Sequence, residues 1–333
     1  MICWNLPYTQ MNMKLNLKTC VALVALHGAG VAFAGREGWS SDFAAAKKEA
    51  AESKKDLLVD FTGSDWCAYC IKLNQEVFSQ ELFKTGVKDK FVLVELDFPK
   101  NKALLDEATI TQNTALGEKY AIPGFPTLLL CDSDGKPYAV SGYEGLPLEA
   151  FMVKLDQLHD KKAVRDEAFR SAANATGLEK AKTLIATLDG MDLNVTAIGN
   201  FYGDVVAEIR NSDPTDETGF AKATALKERI AKFQREIKEF VRHGDFDGAH
   251  GLVDVTLKEG GFERDQTQQL MGMHAMLFAQ QKKLGEAIIA IDEAKAYAPD
   301  SGISAGFDNF KARVEAEIKK AEQGAEAAKP AAG

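Results

Sequence analysis

Trp66-Cys67-Ala68-Tyr69-Cys70 follows an apolar run, Leu57-Leu58-Val59-Asp60-Phe61, across the short segment Thr62-Gly63-Ser64-Asp65, and this juxtaposition restricts the chain more than any other feature. The run reads as a buried strand and the segment after it as a loop. Cys67 then opens a helix in which Cys70, Leu73 and Val77 share one face at i, i+3 and i+7. Two cysteines so spaced at the start of a helix can close a disulfide with each other and pass it to a third thiol. Cys67 lies where unpaired amides and the helix dipole favour an anion, so its thiol pKa falls and it is the attacking, exposed sulfur. Cys70, one turn further in, is the more buried and resolves the mixed disulfide.

The neighbouring segments extend this to a domain over residues 38–159. Asp42 to Lys54 is an alanine- and lysine-rich helix with Phe43, Ala46 and Ala50 on one face. Phe91 to Leu96 is a continuous apolar run expected of a strand covered on both sides. A second long helix ends near Tyr120. Thr127 to Cys131 is a further buried strand, Asp132-Ser133-Asp134-Gly135 a turn, Tyr138 to Tyr143 a strand and Leu148 to Leu158 a helix.

The order α-β-α-β-α-β-β-α, with Leu58-Val59-Asp60-Phe61, Trp66-Cys67-Ala68-Tyr69-Cys70 and Ile122-Pro123-Gly124-Phe125-Pro126-Thr127, resembles the thioredoxin superfamily over residues 40 to 160. Phe61-Thr62-Gly63-Ser64-Asp65-Trp66-Cys67 and Glu76-Val77-Phe78 resemble its exported bacterial members, close to the C-terminal domain of the electron transporter DsbD. The resemblance implies an α/β thioredoxin fold, a mixed central sheet flanked by helices. It also implies a cis Pro126, whose lack of an amide hydrogen leaves the preceding backbone free to pair with a substrate strand. Trp66, Tyr69, Phe125, Pro126 and Thr127 would line that groove. Asp60 resembles the buried carboxylate that relays protons to the inner cysteine. Its spacing to Cys67 is one residue longer than usual, and Leu93 replaces the lysine that often accompanies it; the alternative is a solvated aspartate at the strand end. The pair Ala68-Tyr69 leaves the direction of electron flow open, since potentials in such proteins run from about −270 to −120 mV. Residues 97–113 form an insertion that reads as surface elaboration, although its place before the helix leading to Pro126 allows a substrate-selecting role.

Other chemistries fit less well. With a net charge of −9 and no long basic run, nucleic acid or an anionic membrane is not the expected partner. Zinc needs two more ligands near the CxxC pair, but Cys131 is single and His159, His243, His250 and His274 are scattered. Haem attachment is excluded because Ile71, not histidine, follows Cys70. No metal or organic cofactor is required. Cys131 reads as a small core residue, the four histidines as helix-surface residues, and Met271, Met273 and Met276, with Leu270 and Leu277, as helix core.

Residues 1–34 read as an N-terminal extension and signal peptide. Met13-Lys14-Leu15-Asn16-Leu17-Lys18 is a short positive region, residues 20–33 are mostly apolar, and Ala32-Phe33-Ala34-Gly35 is a small-x-small cleavage site. The apolar stretch, interrupted by His27, is shorter than the ~20 residues of a membrane span. This expectation makes Met13 or Met11 the start, Gly35 the mature N-terminus and the periplasm or another exported compartment the location. It leaves Cys67, Cys70 and Cys131 in the mature chain, without Cys3 and Cys20.

Residues 160–324 change character: alanine, lysine and glutamate dominate, and apolar residues recur at helical spacing, so an all-α domain of helical hairpins is expected. Leu178 and Ala181, Phe246 and Ala249, and Leu284 and Ala287 repeat one pattern after a turn. The three alanines are 68 and 38 residues apart, near multiples of the roughly 34-residue tetratricopeptide period. An irregular bundle is the alternative. Either forms a surface for a client protein or a second copy. Residues 325–333 read as a disordered tail.

The functional expectation is an exported thiol-disulfide oxidoreductase, a reductase or isomerase rather than a strong oxidase. It would act on a client protein's thiols or disulfide and draw electrons from a membrane donor. The alternative is a non-catalytic interaction module that binds extended peptides.

Overall fold

The computed structural model describes residues 35–327, so the expected signal peptide and start and residues 328–333 of the expected tail lie outside the described residues, while residues 325–327 of that tail are helical. The chain begins with α1 (Phe43–Ser53), capped by the Asp42 carboxylate, which accepts from the Ala45 amide at 2.9 Å. Phe43, Ala46 and Ala50 form its buried face, as their spacing predicts. β1 (Asp56–Thr62) follows, buried at every position. α2 (Ala68–Leu73) widens into a π-helical segment, Asn74–Phe78, and is followed by a helix absent from the expected order, α3 (Glu81–Val87). Then come β2 (Phe91–Asp97), α4 (Glu107–Lys119), β3 (Thr127–Cys131) and β4 (Pro137–Ser141).

The sheet order is β2-β1-β3-β4, with β1 and β2 parallel and the other pairs antiparallel. This is a thioredoxin-like mixed sheet between helical layers. Leu58, Leu128 and Leu130 face Leu73, Val77, Phe78 and Phe83, while Leu57, Val59 and Phe61 face α1 and Tyr120. β2 is covered on both faces, as its composition suggests: Val92, Val94 and Leu96 pack with α1, and Leu93 and Glu95 lie under Trp39 and Arg36. It is an edge strand on which Leu93, Glu95 and Asp97 are only half-buried, and Glu95 breaks the apolar run there.

The helix expected over Leu148–Leu158 continues as α5 to Asn174, crossing residues 159–160 without interruption because nothing in that stretch breaks helical periodicity. It leads into α6 (Gly177–Gly190), α7 (Val195–Ser212), α8 (Phe220–Arg242), α9 (Phe246–Glu259), α10 (Arg264–Gln280), α11 (Leu284–Tyr297) and α12 (Ser304–Ala327). Each packs on its successor. Ala181, Ala249 and Ala287 are fully buried, their small side chains permitting close helix approach. Met276 is a correction: it is exposed, while Leu270 and Leu277 fill the core. Three histidines also depart from the surface positions expected. His159 packs on Phe91 and Asp56 at the start of β2 and β1, and His250 of α9 stacks on His274 of α10 where the two helices pack; His243 is exposed.

α5 and α7 join the helical array to the sheet. The buried Arg165 guanidinium donates to Asp132 and to the Tyr202 hydroxyl, both at 3.1 Å, and Tyr202 donates to the Pro137 carbonyl at 2.7 Å. Asn200 and Asn194 of α7 and its N-cap donate to the carbonyls of Lys119 and Ala121, at the C-terminal end of α4, and Phe201 stacks on Tyr120.

Asp56 is a second buried charge, bonded by Tyr138 at 2.8 Å, by Lys162 and by His159. Burial pushes its carboxyl up, but these bonds outweigh that and hold it below the ordinary range. Its stabilising contribution is therefore present above the unfolded value of about 3.9 and is lost as pH falls through the lower folded value. Urea titrations of Asp56→Asn are expected to show a lower stability at neutral pH and a flatter decline below about pH 4 than the parent.

Candidate active site

The loop after β1 is shaped by contacts that bring Trp66 and the cysteines to the end of the sheet. Gly63 leaves room for the indole: a Cβ there would lie 2.6 Å from the Trp66 ring. The Trp66 Nε1–H donates to the Phe98 carbonyl at 2.8 Å, and Asp65 accepts from the Lys100 and Asn101 amides, each at 2.9 Å. Ser64 donates to Asp97 from its amide and its hydroxyl. The insertion, with a 3-10 turn at Lys102–Leu104, is thus fastened directly to the cysteine loop.

Cys67 is the N-cap of α2, its sulfur accepting from the Cys70 amide at 3.2 Å. The two cysteines form a disulfide with their Cα atoms 5.2 Å apart. Cys67 is 7% and Cys70 3% exposed, so in the disulfide Cys67 is the more open of the two but less open than its expected role suggests. The amides of the first helical turn still point to the Cys67 position, the arrangement that stabilises a thiolate on reduction.

Around the disulfide stand aromatic side chains. Trp66 is 41% and Tyr69 61% exposed. Trp66 meets Phe125 edge-on at 5.8 Å, and the Tyr69 ring stacks on Tyr143 at 5.5 Å, with the Tyr143 hydroxyl donating to Glu76 at 2.8 Å. The Phe125–Pro126 peptide is cis, as the resemblance implies, and Thr127 is buried, its hydroxyl donating to the Gly124 carbonyl at 2.8 Å. Exposed apolar rings beside a reactive group suit the side chains of an extended peptide.

Asp60 is 1% exposed rather than solvated. Alternation along β1 puts it on the face of Leu58, toward α2 and the π-helical segment that carry Cys70 and Phe78. Its Oδ2 receives Arg36 Nη2 at 2.9 Å, and the same nitrogen lies 2.8 Å from Glu95. Burial pushes the Asp60 carboxyl up to about 6 against the pull of Arg36, with Glu95 and Asp97 adding to the rise. Between about pH 4 and 6 the native state holds the extra proton at this position, so its contribution to stability falls as pH rises through that window. Leu93, which stands where the resembled family often has a lysine, packs partly buried against the core beside Trp39, and the cation comes instead from the segment before α1.

Arg36, Glu95, Asp65 and Tyr143 were not singled out by the sequence. Glu95 had a signal, a carboxylate inside an apolar strand, and register pairs it with Asp60. Arg36 had none, because its partners are 24 and 59 residues away.

A cleft of about 740 Å³ reaches Cys70 from the Arg36 side and is also lined by Thr62, Asn74, Glu95 and Asp97. Among the described residues no group of three or more histidine, cysteine or carboxylate side chains is placed to hold a metal ion. Cys131 is a free, fully buried thiol against Tyr120, and burial raises its pKa well above the ordinary value.

Residues 43–159 match the model of a thioredoxin-like domain. Two Chlamydia pneumoniae proteins are similar to the chain. One is a disulfide bond reductase, DsbH, 34% identical over 106 residues, which are 32% of this chain and 63% of that protein. The other is a thioredoxin-related protein, DsbJ, 35% identical over 92 residues, 28% of this chain and 26% of that protein. The chain thus spans less than two thirds of either relative. Among solved structures, a DsbH oxidoreductase aligns with a TM-score of 0.36 at 29% identity, covering 40% of this chain and 92% of that one. The oxidised C-terminal domain of Neisseria meningitidis DsbD aligns with a TM-score of 0.26 at 21% identity, covering 34% and 90%. The β1–Cys67 loop, the paired cysteines and the cis Pro126 all lie inside the matched segment, and residues 43–159 form a thioredoxin-like domain.

Proposed function

We propose that the protein is a thiol-disulfide oxidoreductase that reduces or isomerises disulfides in client proteins. The observation that carries this is the Cys67–Cys70 disulfide at the N-cap of α2, flanked by exposed aromatic rings and by Phe125–Pro126. In the dithiol form the Cys67 thiolate attacks a client disulfide, forming one S–S bond and breaking another, and the first client thiolate leaves. Cys70 then gives up its proton and attacks the Cys67 sulfur, which releases the second client thiolate. Two electrons pass to the client, its two sulfurs take up protons, and the protein is left as the disulfide. A dithiol donor protein, membrane-bound in our reading, returns it to the dithiol.

Asp60 is proposed as the acceptor of the Cys70 proton: it is buried, lies on the α2 side of β1 and titrates nearer neutrality than an ordinary aspartate. Trp66, Tyr69, Phe125, Pro126 and Thr127 would hold the client segment, with the helical array as a second contact for the client or for another copy. The names of the relatives, one a disulfide bond reductase, favour reduction, and the exported compartment inferred from the N-terminus suits it.

The reduction potential of the Cys67–Cys70 pair, from thiol trapping across graded glutathione or dithiothreitol, tests this reading. A value below roughly −230 mV is expected of a reductase, and one above roughly −180 mV points to oxidation or isomerisation. Absence of a reversible two-electron couple overturns the proposal in favour of a peptide-binding module.

A further inference from the structure

Arg36 stands out among residues that the thiol chemistry does not itself touch. It precedes α1, yet its position is over-determined. Ser40 bridges to the free edge of β2, accepting from the Glu95 amide at 2.9 Å and donating to the Leu93 carbonyl at 2.8 Å. The Arg36 amide donates to Glu95 Oε2 at 3.0 Å. The guanidinium lies over the Trp39 and Phe78 rings, 4.4 and 4.6 Å from their centroids, while Nη2 bridges Asp60 and Glu95. Two aromatic faces and two carboxylates hold one cation.

The charge balance around that cation is unequal. Asp60, Glu95 and Asp97 lie on the same face of the β1–β2 pair, and register sets Asp60 beside Glu95. Arg36 is the cation in ion-pair contact with Asp60 and Glu95 among the described residues. One positive group is therefore shared between two carboxylates, with a third nearby. Asp60 Oδ1 is buried and has no protein partner among the described residues, so it is free to take a proton. Arg36, Glu95, Asp97 and Cys70 line one cleft.

We propose that Arg36 is a positioning residue that, shared with Glu95, sets the charge state of Asp60 and so controls deprotonation of Cys70. This rests on the thiol-exchange reading above. The step it governs is attack of Cys70 on the Cys67 sulfur of the mixed disulfide: the Cys70 proton moves to Asp60, a Cys70–Cys67 bond forms, and the bond from Cys67 to the client breaks, the client sulfur leaving as thiolate. No outside oxidant or reductant enters this step. Glu95 competes for the cation, so the two neighbours of Asp60 act in opposite senses.

The test titrates the Asp60 carboxyl by 13C NMR in the disulfide form, where no turnover is needed, for the parent, Arg36→Gln, Arg36→Lys and Glu95→Gln. Loss of a contacting cation is expected to move the midpoint upward by ~1 pH unit or more. Glu95→Gln is expected to move it downward, and Arg36→Lys to stay near the parent. In stopped-flow decay of a mixed disulfide between Cys67 and a peptide thiol, the acid limb of the rate profile should follow the NMR midpoints. A purely structural role for Arg36 would lower melting temperatures without shifts of opposite sign. If Arg36→Gln does not fold, the Glu95→Gln shift decides alone. An unmoved midpoint in Arg36→Gln and Glu95→Gln, or an acid limb that ignores moved midpoints, overturns the proposal. A parent protein that folds and shows no reversible couple overturns instead the redox reading, and the midpoint test still reads out.

Discussion

Cys67→Ser is expected to abolish reduction of a disulfide substrate, lowering the rate by on the order of 10³-fold or more, with the fold unchanged. The nucleophile of the first step is gone, and a serine hydroxyl is not ionised at the N-cap near neutral pH. Cys70→Ser has a different signature: Cys67 still attacks, but nothing resolves the product, so a mixed disulfide with the client accumulates. Non-reducing gels and an insulin-reduction assay read both. Parent-like turnover in Cys67→Ser would remove the thiol mechanism, and client binding that survives with no turnover in the parent would favour a peptide-binding module.

The second large effect is on stability. Arg165→Met removes the buried cation that joins Asp132, Asp166 and Tyr202, and leaves Asp132 and the Tyr202 hydroxyl without it. Breaking a buried pair from one side costs about 3–5 kcal/mol; because Asp132 keeps some solvent contact, the lower figure applies. At roughly 2–4 °C per kcal/mol this lowers the melting temperature by about 6–12 °C. Asp132→Asn in the Arg165→Met background should cost much less than it does alone, since the pair acts as a unit. The register places Asp132, after Cys131 opposite Leu57, at the far end of the sheet from Thr127 and the disulfide. The reduction potential should therefore stay at its parental value, and a large shift would show that this junction reaches the cysteines.

Most of the sheet was legible because each strand announces itself locally. Leu57 to Phe61 and Thr127 to Cys131 are apolar runs bounded by turn residues, and both are strands within a residue of the expected limits. The faces of α1 and α2 followed from helical spacing in the same way. The apolar run of β2 gave its coverage on both faces but not its place in the sheet, for such a run does not say whether a strand is central or at an edge; pairing decides that. The cysteines and the Phe125–Pro126 segment were readable from type and order. The charge cluster behind them was not, since Arg36 reaches Asp60 only after α1 and β1 have folded back on one another. The tyrosine pair was hidden for the same reason: Tyr69 and Tyr143 meet through tertiary packing. Met276 shows the limit of residue type as a guide to burial, for the side that a helix presents to its neighbours depends on crossings no local pattern records.

The asparagines of α7 carry a consequence for how such a protein can be taken apart. They satisfy the last carbonyls around the end of α4, with Phe201 covering Tyr120, a few residues ahead of the turn into Pro126. A fragment ended at residue 159 would cut α5 in half, uncover Tyr120 and strip those carbonyls of their donors. The thioredoxin-like segment is therefore expected to be less stable once cut from the helices that follow it. Those contacts couple the two parts, so a substitution at Asn194, Asn200 or Phe201, distant in sequence from the cysteines, is felt next to the turn into Pro126.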